Sequence, residues 1–193
     1  MKQKRLLYNF GVNDTEIPIS KLEFGNTAYD RWSQMIRRCY DKDSERNYPT
    51  YAGCFVCQEW ASFTNYYHWF RENYVPEWQI DKDLLYPGNK VYSPETCLFV
   101  PKWLNCFLLN NSASRGEYPV GVCKLGKKYS AFCNNPSTGK QEYIGLYASP
   151  NEAHEAWKKI KLLHARDKKS EIDSVDERLY ENIIYLIHSY IWT

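Results

Sequence analysis

From Tyr29 to Tyr40 apolar residues return every three or four positions. Trp32, Met35, Ile36, Cys39 and Tyr40 share one side, which predicts an amphipathic helix. Asp41 to Tyr51 is polar and carries Pro49, so it reads as a loop. Helical spacing returns from Glu59 to Trp69, with Trp60, Phe63, Tyr66, Tyr67 and Phe70 as the stripe, and Pro76 closes that element. Aromatic stripes of this kind are core material.

Gln79-Ile80-Asp81-Lys82-Asp83 is a short β-forming run that ends in two carboxylates and a lysine. A Pro87-Gly88-Asn89-Lys90 turn follows, then a second apolar run, Cys97 to Val100, and an apolar, helix-competent stretch from Trp103 to Leu109. Strand, polar loop, strand and helix, with acids at the end of the first strand, is a layout able to hold one divalent cation against a phosphate. Asn110 to Glu117 is small, polar and glycine-containing, the best linker in the chain.

Beyond the linker the period falls to two. Tyr118–Lys124, Lys127–Asn134 and Gln141–Tyr147 read as three short antiparallel strands. Ser149-Pro150-Asn151-Glu152 supplies a serine cap, a proline at the first helical position and the glutamate of a capping box. The helix that starts there is expected to bury Ala153, Ala156, Trp157, Ile160 and Leu163. Ser174 with Glu177 repeats the capping pattern ahead of a last apolar helix. The fold class is α+β: an aromatic-rich helical body over 1–110, a three-strand-plus-helix module over 111–170, and a terminal helix over 171–193. Alternation sends Tyr129, Ala131, Cys133 and Ile144 toward the helix, and Ser130, Phe132, Asn134, Gln141 and Tyr143 outward.

Charge sharpens this division. Residues 1–114 carry 13 basic and 13 acidic side chains, residues 115–170 carry 11 and 5, and residues 171–193 carry 1 and 5. A basic middle suits a polyanionic partner, although Lys158, Lys159, Lys161, Arg166, Lys168 and Lys169 equally suit one solvated helix face. On the strands, Arg115, Lys124, Lys127, Lys128 and Lys140 are candidate phosphate contacts, and Phe132, Asn134, Gln141 and Tyr143 candidate base contacts. No apolar run is long enough for a membrane span, and Leu6 to Phe10 is too short for a signal-peptide core. Seven cysteines without a secretion signal read as reduced thiols in a cytoplasm. Cys54-x-x-Cys57 with Cys97 and Cys106 has poor spacing for zinc, and the four histidines have no partner at ligand or triad spacing.

Gly121-Val122, Lys128-Tyr129-Ser130-Ala131, Gly139-Lys140, Tyr143-Ile144-Gly145-Leu146-Tyr147, Glu152-Ala153 and Ala156-Trp157 resemble the plant ethylene-response-type DNA-binding domain, which also occurs fused to phage endonucleases. The resemblance implies a sheet laid in the major groove of double-stranded DNA. The family's arginine and tryptophan readers fall by position on Cys123, Asn134, Gln141 and Tyr143, none of them arginine.

Upstream, Tyr29-x-x-Trp32-x-x-Met35-x-x-Arg38-Cys39-Tyr40, Tyr51-x-Gly53-Cys54-x-Val56-Cys57-x-Glu59-Trp60-x-x-Phe63 and Ser93-Pro94-Glu95-Thr96-Cys97 resemble the HNH nucleases of phage homing-type endonucleases. That resemblance implies Mg²⁺ held by Asp81, with Asp83 as a spare carboxylate, and Asn89 positioning the site. Lys82 stands where the catalytic histidine belongs, and Thr96 where a metal-binding asparagine is expected. A lysine is protonated near neutral pH and is a poor base unless desolvated, but it can contact phosphate. The leading expectation is a Mg²⁺-dependent DNA endonuclease or nickase, phage-encoded and acting in a bacterial cytoplasm. The alternative is a catalytically silent DNA-binding relative. A partner-binding role for the acidic last helix is a third.

Overall fold

The computed structural model describes residues 6–108 and 117–189. The chain forms two compact units, 1–99 and 100–193.

In the first unit, α1 (Gly25–Tyr40) buries Ala28, Trp32, Met35 and Ile36, the stripe read from the sequence. It starts a turn earlier than the apolar pattern suggests. Gly25 allows this, because a Cβ there would sit 2.1 Å from the Ile19 carbonyl oxygen. A short helix, α2 (Ser44–Asn47), follows. The next long helix, α3 (Phe63–Asn73), begins at Phe63 rather than Glu59, and Gln58–Ala61 forms a 3₁₀ turn instead. Ser62 fixes this start: its Oγ accepts from Asn65 N at 3.1 Å and donates to Asp14 Oδ2 at 2.6 Å, while Asp14 Oδ1 accepts from Thr64 N at 2.9 Å.

Trp32, Trp60, Phe63, Tyr66 and Phe70 are fully buried between α1 and α3. Trp32 Nε1 donates to the Trp60 carbonyl at 2.7 Å, and Phe63 lies 5.3 Å, centroid to centroid, from Trp32. Two strand pairs frame the candidate loop. β1 (Phe55–Val56) runs parallel to β3 (Val91–Tyr92), and β2 (Gln79–Asp81) pairs with β4 (Leu98–Val100).

The second unit begins ahead of α4 (Lys102–Phe107), so this helix groups with the C-terminal elements rather than with the aromatic body. Phe107 lies under the Lys161 ammonium, 3.7 Å from ring centroid to Nζ, and Trp103 under Lys168 at 5.4 Å. β5 (Val122–Leu125), β6 (Lys128–Asn134) and β7 (Gln141–Tyr147) form an antiparallel sheet in that order. The fold is therefore mixed α+β, with a three-stranded antiparallel sheet. α5 (Pro150–Asp167) covers one face of the sheet, followed by α6 (Lys169–Val175) and α7 (Leu179–Ser189). The Ser149 cap at α5 forms as the spacing predicts, with Glu152 N donating to Ser149 Oγ at 3.2 Å, while the Glu152 carboxylate reaches one residue ahead of the cap and accepts from Ala148 N at 3.2 Å.

Two expectations for these helices change. Leu163 is 48% exposed, whereas Lys161, counted above among solvated lysines, is 5% exposed. The buried stripe is Ala153, Trp157, Lys161 and Ala165, each four residues apart, and it includes His154. Ser174 does not cap α7. It lies inside α6 with its Oγ on the Glu171 carbonyl, and Asp176 makes the turn by accepting from Arg178 N. α7 packs on α5 through Leu179, Ile183 and Ile187. No helix among the described residues is long and apolar enough to cross a membrane.

Candidate functional site: a closed polar loop and an open sheet face

Lys82 leaves β2 and turns inward. It is only 6% exposed, and its Nζ donates to Asp83 Oδ1 at 2.5 Å and to the Asn89 carbonyl at 3.0 Å, standing 5.7 Å from the Tyr92 ring centroid. Burial alone pulls its pKa down, but the hydrogen bond to Asp83 and the negative charges around it outweigh that, so the pKa lies above its usual value. Lys82 is thus a firmly protonated ammonium with no proton vacancy near neutral pH. It has been enclosed by its own loop, which also buries Leu84 and Leu85.

The remaining polar groups serve the same loop. Asp81 Oδ1 accepts from the backbone N–H groups of Asp83 and Leu84, both at 2.8 Å, closing an Asx turn. Burial raises the Asp81 carboxyl above its ordinary pKa, more than those two bonds lower it. The Asn89 amide donates to the carbonyls of Lys82 (2.8 Å) and Val91 (2.7 Å), and its Oδ1 accepts from Val91 N (3.0 Å). Thr96 Oγ1 donates to the Val91 carbonyl at 2.8 Å and accepts from Ser93 N at 3.2 Å.

Mg²⁺ is the ion that the sequence resemblance implies for this loop. The ion needs near-octahedral oxygen ligation, with carboxylate, water or phosphate oxygens at about 2.0–2.1 Å. Asp81 has one oxygen free of the turn, Asp83 is neutralised by Lys82, and the Asn89 and Thr96 oxygens are engaged with the chain. Among the described residues no group of three or more His, Cys, Asp or Glu side chains is placed to hold a metal ion. Cys54 and Cys57 lie in the first unit and Cys106 on α4 in the second, all three as free thiols.

The sheet in the second unit has a different character. On its open face Cys123 pairs with Ser130, Ser130 with Leu146, Phe132 with Tyr143, and Asn134 with Gln141. The register steps between Ala131 and Phe132, from Ala131–Gly145 to Phe132–Tyr143, so Ile144 is the bulged residue and turns to the helix side. Tyr143 is 59% exposed and its ring lies 5.5 Å from that of Phe132. Asn134, Lys140 and Gln141 are exposed, as are Lys127 and Lys128 at the other turn.

Three placements differ from the alternation read above or fall outside it. Ser130 lies in the outward row but is buried, because its Oγ turns back onto the Cys123 carbonyl at 3.1 Å. Lys124 pairs with Tyr129 on the helix-side face and stands beside Tyr118. Arg115 lies outside the described residues. The exposed Leu125 and Leu146 belong to the open face and were not singled out from the sequence: strand parity places Leu125 there, whereas Leu146 shares parity with Ile144 and reaches that face only through the bulge.

Behind the sheet, His164 stands between Cys133 (Sγ to Nδ1, 3.8 Å) and Glu142 (Nε2 to Oε2, 3.8 Å), partners that its sequence neighbours could not reveal. Cys133 is 1% exposed and burial raises its thiol pKa, so the trio contains no accessible thiolate. His154 is a satisfied core residue, stacked on Trp157 with its Nδ1 2.9 Å from the Val120 carbonyl.

Compared with family models, with curated proteins and with solved structures, the chain finds no match in any of the three.

Proposed function

We propose that the protein binds double-stranded DNA through the open face of β5–β7 and does not cut it, the nuclease-like loop of the first unit serving as scaffold. The observation that carries this reading is the composition of that face. Phe132, Tyr143, Asn134 and Gln141 form a pleated surface with base-contacting chemistry, and Lys127, Lys128 and Lys140 flank it at both turns. A β-ribbon of this width enters the major groove, with lysines on phosphates and amide or aromatic groups on base edges. Support for silence comes from Lys82, a buried ammonium where a base is required, and from Asn89 and Thr96, whose polar atoms are occupied by the loop. With no arginine on the face, the expected binding is salt-sensitive and only modestly sequence-selective.

The test is a duplex gel-shift run alongside supercoiled plasmid incubated with Mg²⁺ or Mn²⁺. The expected outcome is retarded duplex and intact plasmid. Nicking that disappears in Asp81→Ala would return the protein to the metal-dependent nucleases, and absence of retardation at low salt would end the DNA assignment.

A further inference from the structure

The first unit holds a cavity of about 540 Å³ that neither the nuclease-like loop nor the sheet uses. One wall is a face of α1 carrying Tyr29, Ser33, Arg37 and Arg38, and Tyr8 and Tyr48 close the other sides. Its volume is that of a small-molecule site. Its lining combines three tyrosine rings, two guanidinium groups, the Ser33 hydroxyl, the Gln34 amide, one carboxylate at Asp30 and the Leu7 side chain.

The guanidinium groups are not neutralised in equal measure. Arg37 shares its charge with Asp41 at 3.6 Å. Arg38 has no carboxylate partner among the described residues. It is half-buried, rests 5.3 Å from the Tyr51 ring centroid, and reaches Gln34 Oε1 only at 3.5 Å. The one lining carboxylate, Asp30, already accepts from Gln34 Nε2 at 2.7 Å, at the other end of the helix face. From Tyr29 to Arg37 the α-helical rise is about 12 Å, so the guanidinium groups are well separated from Tyr29 and Asp30. Tyr48, 6.4 Å from the Tyr51 ring under Arg38, stands near the cationic end.

The opposite wall is held at a cost. Tyr8 and Asn9 both adopt left-handed backbone conformations, at φ 50° and 56°. For a tyrosine that region is disfavoured, and such residues persist where the surroundings impose them. Here the imposition is visible. Leu7 and Gly11 exchange backbone hydrogen bonds of 2.7 and 3.0 Å across the turn, and Gly11 lies so close to α1 that a Cβ would fall 2.5 Å from Ile36 and 2.8 Å from Trp32. The turn is clamped to the helix, and the clamp places the Tyr8 ring at the cavity.

We propose that this cavity binds a phosphomonoester carried on a nucleobase: a mononucleotide, either free or at the 5′ end of a strand. Arg38, with Arg37, receives the phosphate as a charge-assisted anion site, the tyrosine rings stack on the base, and Ser33, Gln34 and Asp30 face its polar edge. An inorganic anion would use only the guanidinium groups, and an uncharged base only the tyrosine rings. The site is independent of the sheet reading, since every group belongs to the first unit.

The experiment is calorimetric titration of the full chain with dAMP, dCMP, inorganic phosphate, and one short oligonucleotide bearing either a 5′-phosphate or a 5′-hydroxyl. A nucleotide or the phosphorylated strand is expected to bind at least about tenfold more tightly than inorganic phosphate, and Arg38→Gln to weaken that binding by about tenfold or more. Ser33→Trp, which fills the cavity, should abolish it while the thermal midpoint stays near wild type. Binding of dAMP or dCMP identifies a free nucleotide as the ligand, and binding of the phosphorylated strand alone identifies a strand end. The proposal is overturned if nothing binds at millimolar concentration, if inorganic phosphate binds equally well, or if both variants keep wild-type affinity. Equal binding of both oligonucleotides, unaffected by Ser33→Trp, also overturns it, and would report the sheet instead.

Discussion

Lys82 and Asn89 are locked to each other in both directions: the Lys82 ammonium donates to the Asn89 carbonyl at 3.0 Å, and the Asn89 amide donates to the Lys82 carbonyl at 2.8 Å. The residue expected to meet phosphate and the one expected to position the site thus hold a loop shut. Asn89→Ala removes three hydrogen bonds and leaves partly buried backbone groups unpaired, so a loss of about 2–3 kcal/mol is expected in urea unfolding. A residue that merely oriented a catalytic base would cost activity and leave the midpoint unchanged.

Asp81 separates turn-making from metal-binding in one pair of variants. Asparagine keeps the oxygen that accepts from Asp83 N and Leu84 N, whereas alanine loses it. The native carboxyl has a raised pKa through burial. With the folded pKa above the unfolded one, the native state holds the proton more tightly, and stability falls as pH rises from the unfolded pKa through the folded one. Asp81→Asn should therefore be neutral or stabilising near pH 7, and Asp81→Ala should cost about 1–2 kcal/mol. Chemical denaturation at pH 7 distinguishes the two, and equal destabilisation by both variants would argue against a turn-making role.

How much of this was legible in the sequence depended on range. The Ser149 cap and the Trp32–Met35–Ile36 stripe are local patterns, and both formed. The start of α3 was misplaced because Asp14, far upstream, decides it through Ser62 and Thr64. β1 and β3 are two residues each and pair across a long separation, so no period announces them. Lys82 was read as a phosphate contact at the histidine position, and only the folded loop supplies the Asn89 carbonyl that draws it inward. Asp81, Asn89 and Thr96 were read as positions of a metal site, and the hydrogen bonds that each makes to the loop backbone follow from geometry that spacing does not contain.

Lys161 makes a prediction about pH. Burial pushes its pKa down to about 8 from an ordinary 10.5, and the Phe107 ring is its main companion. Below about pH 8 both folded and unfolded chains carry the proton, and the folded state bears the full cost of a buried charge. Between about 8 and 10.5 the unfolded chain binds more protons, so stability rises with pH across that window. Lys161→Met should stabilise the protein at pH 7 by about 1–3 kcal/mol, and its advantage should shrink toward pH 10. Paired thermal melts at the two pH values check the sign. An advantage that grows with pH would contradict it.

The proposal that the open face of the sheet binds DNA is tested most directly by the salt dependence of duplex affinity. Lys127, Lys128 and Lys140 lie at the turns bordering the open face, whereas Lys124 pairs with Tyr129 on the helix side. Each phosphate contact adds about 0.9 to the slope of log affinity against log salt. Replacing Lys127, Lys128 and Lys140 together by alanine should flatten that slope by about 2–3, while Lys124→Ala leaves it nearly unchanged. An unaltered slope in the triple variant, or a larger effect from Lys124 alone, would contradict the account.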